Sequence, residues 1–243
     1  MIEIRDLGKS FGDVVALTDV SFIAHDGEVT GLLGPNGAGK TTSLRVLYGL
    51  LSADHGSVLV DGVDVKEEQQ RAQRLLGVLP DAHGLYSRLT AREHMRYFGR
   101  LQSVDRHTLE RNIEELSDLL GMQNIIDRRV QGFSHGERVK VAMGRALVHS
   151  PTNVVLDEPT NGLDVGSTRA MRKLIRSMKA QGKCVLFSSH VMHEVTALCD
   201  RIVIIADGRT VAQGTPDEII AQTDHSSLED AFVSLTGLDE VLL

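Results

Sequence analysis

What this chain has little of narrows its function first. Its 243 residues include two cysteines, Cys184 and Cys199, too few for a disulfide framework. Both sit in apolar runs and read as reduced core residues. No apolar run approaches the roughly 20 residues that cross a bilayer. The opening Met1-Ile2-Glu3-Ile4-Arg5-Asp6 lacks the apolar core of a signal peptide. These two absences predict a cytoplasmic chain whose membrane association goes through a partner. There is no long basic run and the net charge is -7, which argues against a dedicated nucleic-acid binder, because such affinity comes largely from neutralising phosphates. Repeats, low-complexity tracts and heptad runs are also missing. The hydrophobic share of 42% is ordinary and the length allows a sizeable core.

What is present is concentrated at Gly34-Pro35-Asn36-Gly37-Ala38-Gly39-Lys40-Thr41. The pattern is G-x-x-x-x-G-K-[ST], a loop that wraps a nucleotide triphosphate. Its glycines let backbone N–H groups approach phosphate. Lys40 adds a mobile charge for the β- and γ-phosphates, and Thr41 a hydroxyl for Mg²⁺. The apolar stretch 28–33 before the loop reads as a buried strand. Residues 42–51, with Leu44, Leu47 and Leu51 on one face, read as a helix. The helix N-terminus, at Thr42, then adds partial positive charge at the phosphates.

Strand patterns at 2–33, 57–65 and 75–79 precede a stretch from about 82 to 150 in which strand patterning stops. There Leu109, Ile113, Leu116 and Leu120, and later Val139, Met143 and Leu147, recur at helical spacing. Strand signals return at 154–156, 185–187, 202–205 and Val211, separated by helical patterns at 166–181 and 191–198. This alternation predicts an α/β fold: a phosphate-loop NTPase core of mainly parallel sheet, with an N-terminal antiparallel β region and an inserted helical subdomain.

Two further sites carry chemistry. Asn153-Val154-Val155-Leu156-Asp157-Glu158 is an apolar strand ending in two carboxylates, at the edge where ligands bind in such sheets. Asp157 fits the Mg²⁺-holding acid that partners a phosphate loop, and Glu158 the group that polarises the attacking water. His190 ends the run Val185-Leu186-Phe187-Ser188-Ser189-His190 at the same edge, within prospective reach of a γ-phosphate.

At Phe133-Ser134-His135-Gly136-Glu137 and the residues to Leu147 the chain resembles the ATP-binding subunits of ABC transporters, and the resemblance covers essentially all 243 residues. The segment is similar to the family's signature L-S-G-G-Q. Asn161-Gly162-Leu163-Asp164 resembles the loop that crosses to the partner subunit, and Phe11 stands where the family stacks an aromatic on adenine. The resemblance implies one ATP-binding domain over 1–243, with 81–150 as helical subdomain and 216–243 as a helical tail. It implies a head-to-tail homodimer or heterodimer in which the loop of one subunit and Ser134, His135, Gly136 and Glu137 of the other hold ATP. It implies ATP and Mg²⁺ as ligands, an integral-membrane permease as partner, no nucleic acid, and a place on the cytoplasmic face of the membrane, peripheral through the permease.

Three residues depart from the family pattern: His135 for Gly, Glu137 for Gln, and Asp81, in Leu79-Pro80-Asp81, for the Gln that reaches Mg²⁺ and the permease. Asp81 can also bind Mg²⁺ through oxygen. The stretch 84–93 and the tail Ser227–Gly237 are similar to bacterial sodium-export-type ATPase subunits, which pair with a permease of the ABC-2 class. The alternative is a soluble ABC-type ATPase acting on ribosomes or DNA. A single cassette, an acidic balance and the lack of a coiled coil weigh against it. A guanine-reading Asn-Lys-x-Asp is also missing, which weighs against a GTPase.

Overall fold

The computed structural model describes residues 1–82 and 84–237. It opens with β1 (Ile2–Phe11), β2 (Val14–Ala24) and β3 (Val29–Leu33), then α1 (Lys40–Leu47). There follow β4 (His55–Val60), β5 (Val63–Asp64), α2 (Gln69–Arg74) and β6 (Leu76–Leu79). Three helices come next with no strand between them: α3 (Ala91–Leu101), α4 (Arg106–Leu119) and α5 (His135–Leu147). The remainder is β7 (Asn153–Asp157), α6 (Val165–Ala180), β8 (Cys184–Ser188), α7 (Met192–Leu198), β9 (Arg201–Ala206), β10 (Arg209–Gly214), α8 (Pro216–Ala221) and α9 (Leu228–Thr236).

The strands join in the order β5-β4-β1-β2-β10-β9-β3-β8-β7-β6. From β9 to β6 every pairing is parallel. β1 pairs antiparallel with both β2 and β4, as expected for the N-terminal region. The strands β3, β7 and β8 are buried at every residue, which is why they read as mainly apolar runs rather than alternating ones. Period two reappears in where their side chains go. Val185 and Phe187 enter one core with α3–α9, while Cys184 and Leu186 enter the other with β1, β2 and α1.

Two local differences from the expectation have plain causes. The single strand expected over 57–65 is a hairpin, because Asp61 and Gly62 both take positive φ (48° and 78°), the geometry of a two-residue type I′ turn. The segment Gln69–Arg74 is a helix that periodicity does not announce, since Ala72 is its one buried residue. In the helical stretch, Leu109, Ile113 and Leu116 of α4 and Val139, Met143 and Leu147 of α5 fill the first core. Ile219, Leu228 and Ala231 bring α8 and α9 onto that core. Residues 238–243 of the expected tail lie outside the described residues.

For the site, the decisive feature is register. Leu32 and Asp157 both pair with Ser188. The segments that follow β3, β7 and β8 therefore leave the sheet at one level of one edge.

Candidate active site

The segment after β3 turns through the glycine loop into α1. Gly39 is the N-cap, at φ 107°. A Cβ there would stand 2.5 Å from Leu17 Cδ2 and 2.9 Å from the Ala16 carbonyl oxygen, so only glycine fits both the conformation and the space. Lys40 opens the helix and is buried. Its ammonium donates to the carbonyls of Gly34 at 2.6 Å and Pro35 at 3.0 Å. Burial lowers its pKa, and the charges of Glu158 and Asp157 oppose that shift. Ala38 packs its methyl in the core and its N–H reaches the Pro35 carbonyl at 3.2 Å.

The loop forms one wall of an open cleft of about 410 Å³. Asn36, Gly37, Gly39, Lys40, Thr41 and Thr42 line it from this side, together with Ala16; Asp81, Asp157, Glu158, Asn161 and His190 complete it. Gly34, Pro35 and Ala38 support the loop from behind and do not line the cleft.

Asp157 ends β7 and is 3% exposed. Ser188 Oγ donates to its Oδ1 at 2.6 Å. Burial raises its pKa; the Ser188 hydrogen bond opposes the rise, the charges of Asp81 and Glu158 add to it, and Lys40 opposes it. Glu158 follows at φ 51°, a left-handed conformation uncommon for such a side chain and typical of functional turns. Its N–H donates to Ser188 Oγ at 3.1 Å. Its carboxylate Oε2 lies 2.9 Å from His190 Nδ1. The loop lysine, three acids and one histidine, spread over 150 residues of chain, thus converge on one cleft.

The segment 134–137 does not line this cleft. Ser134 is the N-cap of α5: its Oγ accepts the Glu137 N–H at 3.3 Å, and Glu137 Oε2 accepts the Ser134 N–H at 2.8 Å. This is a reciprocal capping box, in which Glu and Gln serve equally. Arg128 stands 3.9 Å from the same carboxylate. His135 Nε2 donates to the Asn161 carbonyl at 3.0 Å. Asp164 caps α6, accepting from Ser167 N–H and Oγ at 2.9 and 2.8 Å. Phe11 ends β1, 47% exposed, with Lys9 Nζ 5.6 Å from its ring centre; Ala16, from the next strand, lines the cleft and Phe11 does not. Asn161, read from the sequence only as part of the loop that crosses to the partner subunit, lines the cleft, and Ser188, which sequence reasoning did not single out, bonds both acids of the strand end. The one signal for Ser188 is its place two residues before His190 in a run already of interest.

The model of the ABC transporter family matches residues 17–161. The chain belongs to the ABC transporter family. It is 42% identical over 239 residues to the ABC transporter ATP-binding protein NatA of Bacillus subtilis, covering 96% of this chain and 97% of that one. It is 37% identical over 219 residues to Nod factor export ATP-binding protein I of Burkholderia lata, covering 90% of this chain and 72% of that one. A solved structure of an ATP-binding subunit of an ABC transporter superposes with a TM-score of 0.91 at 29% identity, over 97% of this chain and 99% of the other. The chain is therefore an ATP-binding subunit of an ABC transporter, and an ATPase.

The ABC subunit's cleft also has a donor set suited to a hard cation. Asp157 is a buried carboxylate whose neighbours Asp81 and Glu158 carry like charge. Among the described residues no three His, Cys, Asp or Glu side chains hold an ion by themselves. Mg²⁺ asks less: one or two protein oxygens beside the phosphates. Thr41, Asp157 and Asp81 are the residues that can supply them. No helix among the described residues is long and apolar enough to cross a membrane.

Proposed function

We propose that this ABC subunit dimerises head to tail on ATP and powers export through a separate membrane permease. The observation that carries this reading is that the phosphate loop and the segment 134–137, the two proposed halves of an ATP site, are in one chain but do not meet in it. The cleft holds the phosphate loop and the acids, and Ser134, His135, Gly136 and Glu137 stand elsewhere, at the capped N-terminus of α5. A helix N-terminus carrying Ser and Gly is an anion site, so a second copy can close the cleft over the triphosphate. Lys40 and the α1 N-terminus bind the β- and γ-phosphates. Glu158 polarises water, and His190, hydrogen-bonded to it, holds its carboxylate toward the γ-phosphate. Asp157, Thr41 and Asp81 hold Mg²⁺, which when bound neutralises phosphate charge.

Export is supported by the similarity to the Burkholderia lata relative, a Nod factor export protein. Sodium is the proposed cargo, on the resemblance of residues 84–93 and 227–237 to sodium-export-type subunits. The permease docks at an apolar groove of about 300 Å³ lined by residues such as Tyr48, Leu50, Val78, Pro80 and Phe98, of which Leu50 is 69% exposed. This attachment places the subunit on the cytoplasmic face of the membrane.

The test is Glu158→Gln. With ATP and Mg²⁺ it should bind nucleotide, lose nearly all turnover and run as a dimer by light scattering. A variant that stays monomeric at saturating ATP, or hydrolyses ATP at the normal rate, would overturn the reading.

A further inference from the structure

The pairing of β7 with β8 continues through side chains beyond the sheet edge. The last backbone pair is Asp157 with Ser188. Ser188 Oγ then joins Asp157 Oδ1 to the Glu158 N–H, at 2.6 and 3.1 Å. The next rung is Glu158 with His190, at 2.9 Å. A third follows: Thr160 Oγ donates to Glu194 Oε2. Glu194 Oε1 accepts from Arg172 Nη2 of α6 at 3.3 Å. The chain 157–160 and the chain 188–194 are therefore tied at three successive levels, with Glu158–His190 in the middle.

The rungs differ in environment. His190 is 53% exposed, and an exposed imidazole–carboxylate contact contributes little to holding two loops together. Glu194 is 5% exposed, and its ion pair with Arg172 is the one that Arg172 makes among the described residues. Arg172 is 23% exposed, so the burial is on the carboxylate side, and removing its partners would strand a buried charge on Glu194. Glu158 also sits at positive φ, a conformation that persists only where the surroundings over-determine it.

We infer that the Thr160–Glu194–Arg172 contact, built on the buried Glu194 carboxylate, sets the reach between Glu158 and His190, making Thr160 and Glu194 positioning residues for ATP hydrolysis. The inference rests on the reading of Glu158 and His190 as the hydrolytic pair. A bland alternative is that the contact merely joins α6 to α7.

The experiment compares Thr160→Val, which keeps shape and loses the donor, with Thr160→Ser, which keeps the donor. Three readouts are taken on the purified chain: Tm, kcat and KM for ATP with Mg²⁺ well below each Tm, and the imidazole ¹⁵N signal of His190, assigned by its loss in His190→Ala. Thr160→Val should lower kcat by about 10- to 100-fold, the scale of a misplaced reacting group, with KM within about twofold of the wild type. Its His190 signal should move, and Thr160→Ser should restore both. Glu194→Gln, which loses the charge facing Arg172, should follow Thr160→Val and carries the test if that variant does not fold. A Thr160→Val protein with lowered Tm but unchanged kcat and His190 signal would show a purely structural contact, and so would equal losses in the Val and Ser variants. If instead Glu158→Gln proves fully active, the hydrolytic pair is wrong, while the His190 signal still reports whether the contact governs that loop.

Discussion

The carboxylate of Asp157 ends a buried strand, shares its cleft with Asp81 and Glu158, and has Lys40 as the cationic side chain of that cleft. Burial raises its pKa above the ordinary 3.8. A carboxyl with a raised folded-state pKa keeps its proton longer in the folded chain than in the unfolded one. Stability from this group is therefore highest below about pH 3.8, falls as pH rises through the raised pKa, and stays low above it. At neutral pH the charged residue costs stability, a cost that the proposed role of Asp157 in holding a cation would offset. Asp157→Asn keeps an oxygen for Ser188 and removes the charge. Without nucleotide or metal it should raise Tm at pH 7 by about 2–4 °C, about 1 kcal/mol at this length, and the gain should shrink as the pH is lowered toward 4. The same variant should lose Mg²⁺-dependent ATP affinity. A gain that does not vary with pH, measured by denaturation from pH 4 to 8, would remove burial of charge as its cause.

Among the elements, α5 is where a departure from the family pattern proves chemically conservative. Glu137 stands where Gln is usual, and its carboxylate closes the capping box with Ser134. Glu137→Gln should therefore leave Tm and ATPase activity nearly unchanged, whereas Glu137→Ala should cost about 1 kcal/mol through the lost cap. Thermal melts of the two decide this; equal losses would mean that the charge beside Arg128, not the cap, matters. The elements that could be read from sequence are those with one dominant environment. β3, β7 and β8 are mostly apolar because both faces are covered, and α4 and α5 show helical spacing because one face meets the core. The glycine loop was legible because phosphate chemistry tolerates few substitutes. By contrast α2 buries too little to leave a periodic trace, and contacts such as His135 to Asn161 or Thr160 to Glu194 join residues 26 and 34 positions apart. Polar side chains at loop ends carry no pattern that announces their partners.

At the scale of the whole molecule, a cleft on one surface and a capped helix on another suit an assembly in which two copies complete each other. Mixing inactive Lys40→Ala with inactive Ser134→Arg should restore part of the activity, since one site of each mixed dimer keeps two intact halves; mixed dimers without recovered turnover would refute a shared site. The same scale bears on the permease. Pro80 lines the apolar groove and Asp81, the next residue, lines the nucleotide cleft, so one peptide unit separates the proposed docking surface from the proposed metal site. A permease segment that moves the groove must move Asp81, and a cation held by Asp81 must restrain the groove. Coupling of this kind is a free energy shared between two sites and acts in both directions. Asp81→Ala should then lower the basal ATPase of the subunit only modestly, because Asp157 and Thr41 still serve the cation, while permease-stimulated ATPase and export fall at least about tenfold, roughly the loss of 1.4 kcal/mol of coupling. Asp81→Gln should retain part of the stimulation, since its amide oxygen reaches the metal with less charge. ATPase rates measured with and without the permease in proteoliposomes separate the two roles: equal loss of basal and stimulated rates in Asp81→Ala would make Asp81 a metal ligand alone, with no part in coupling.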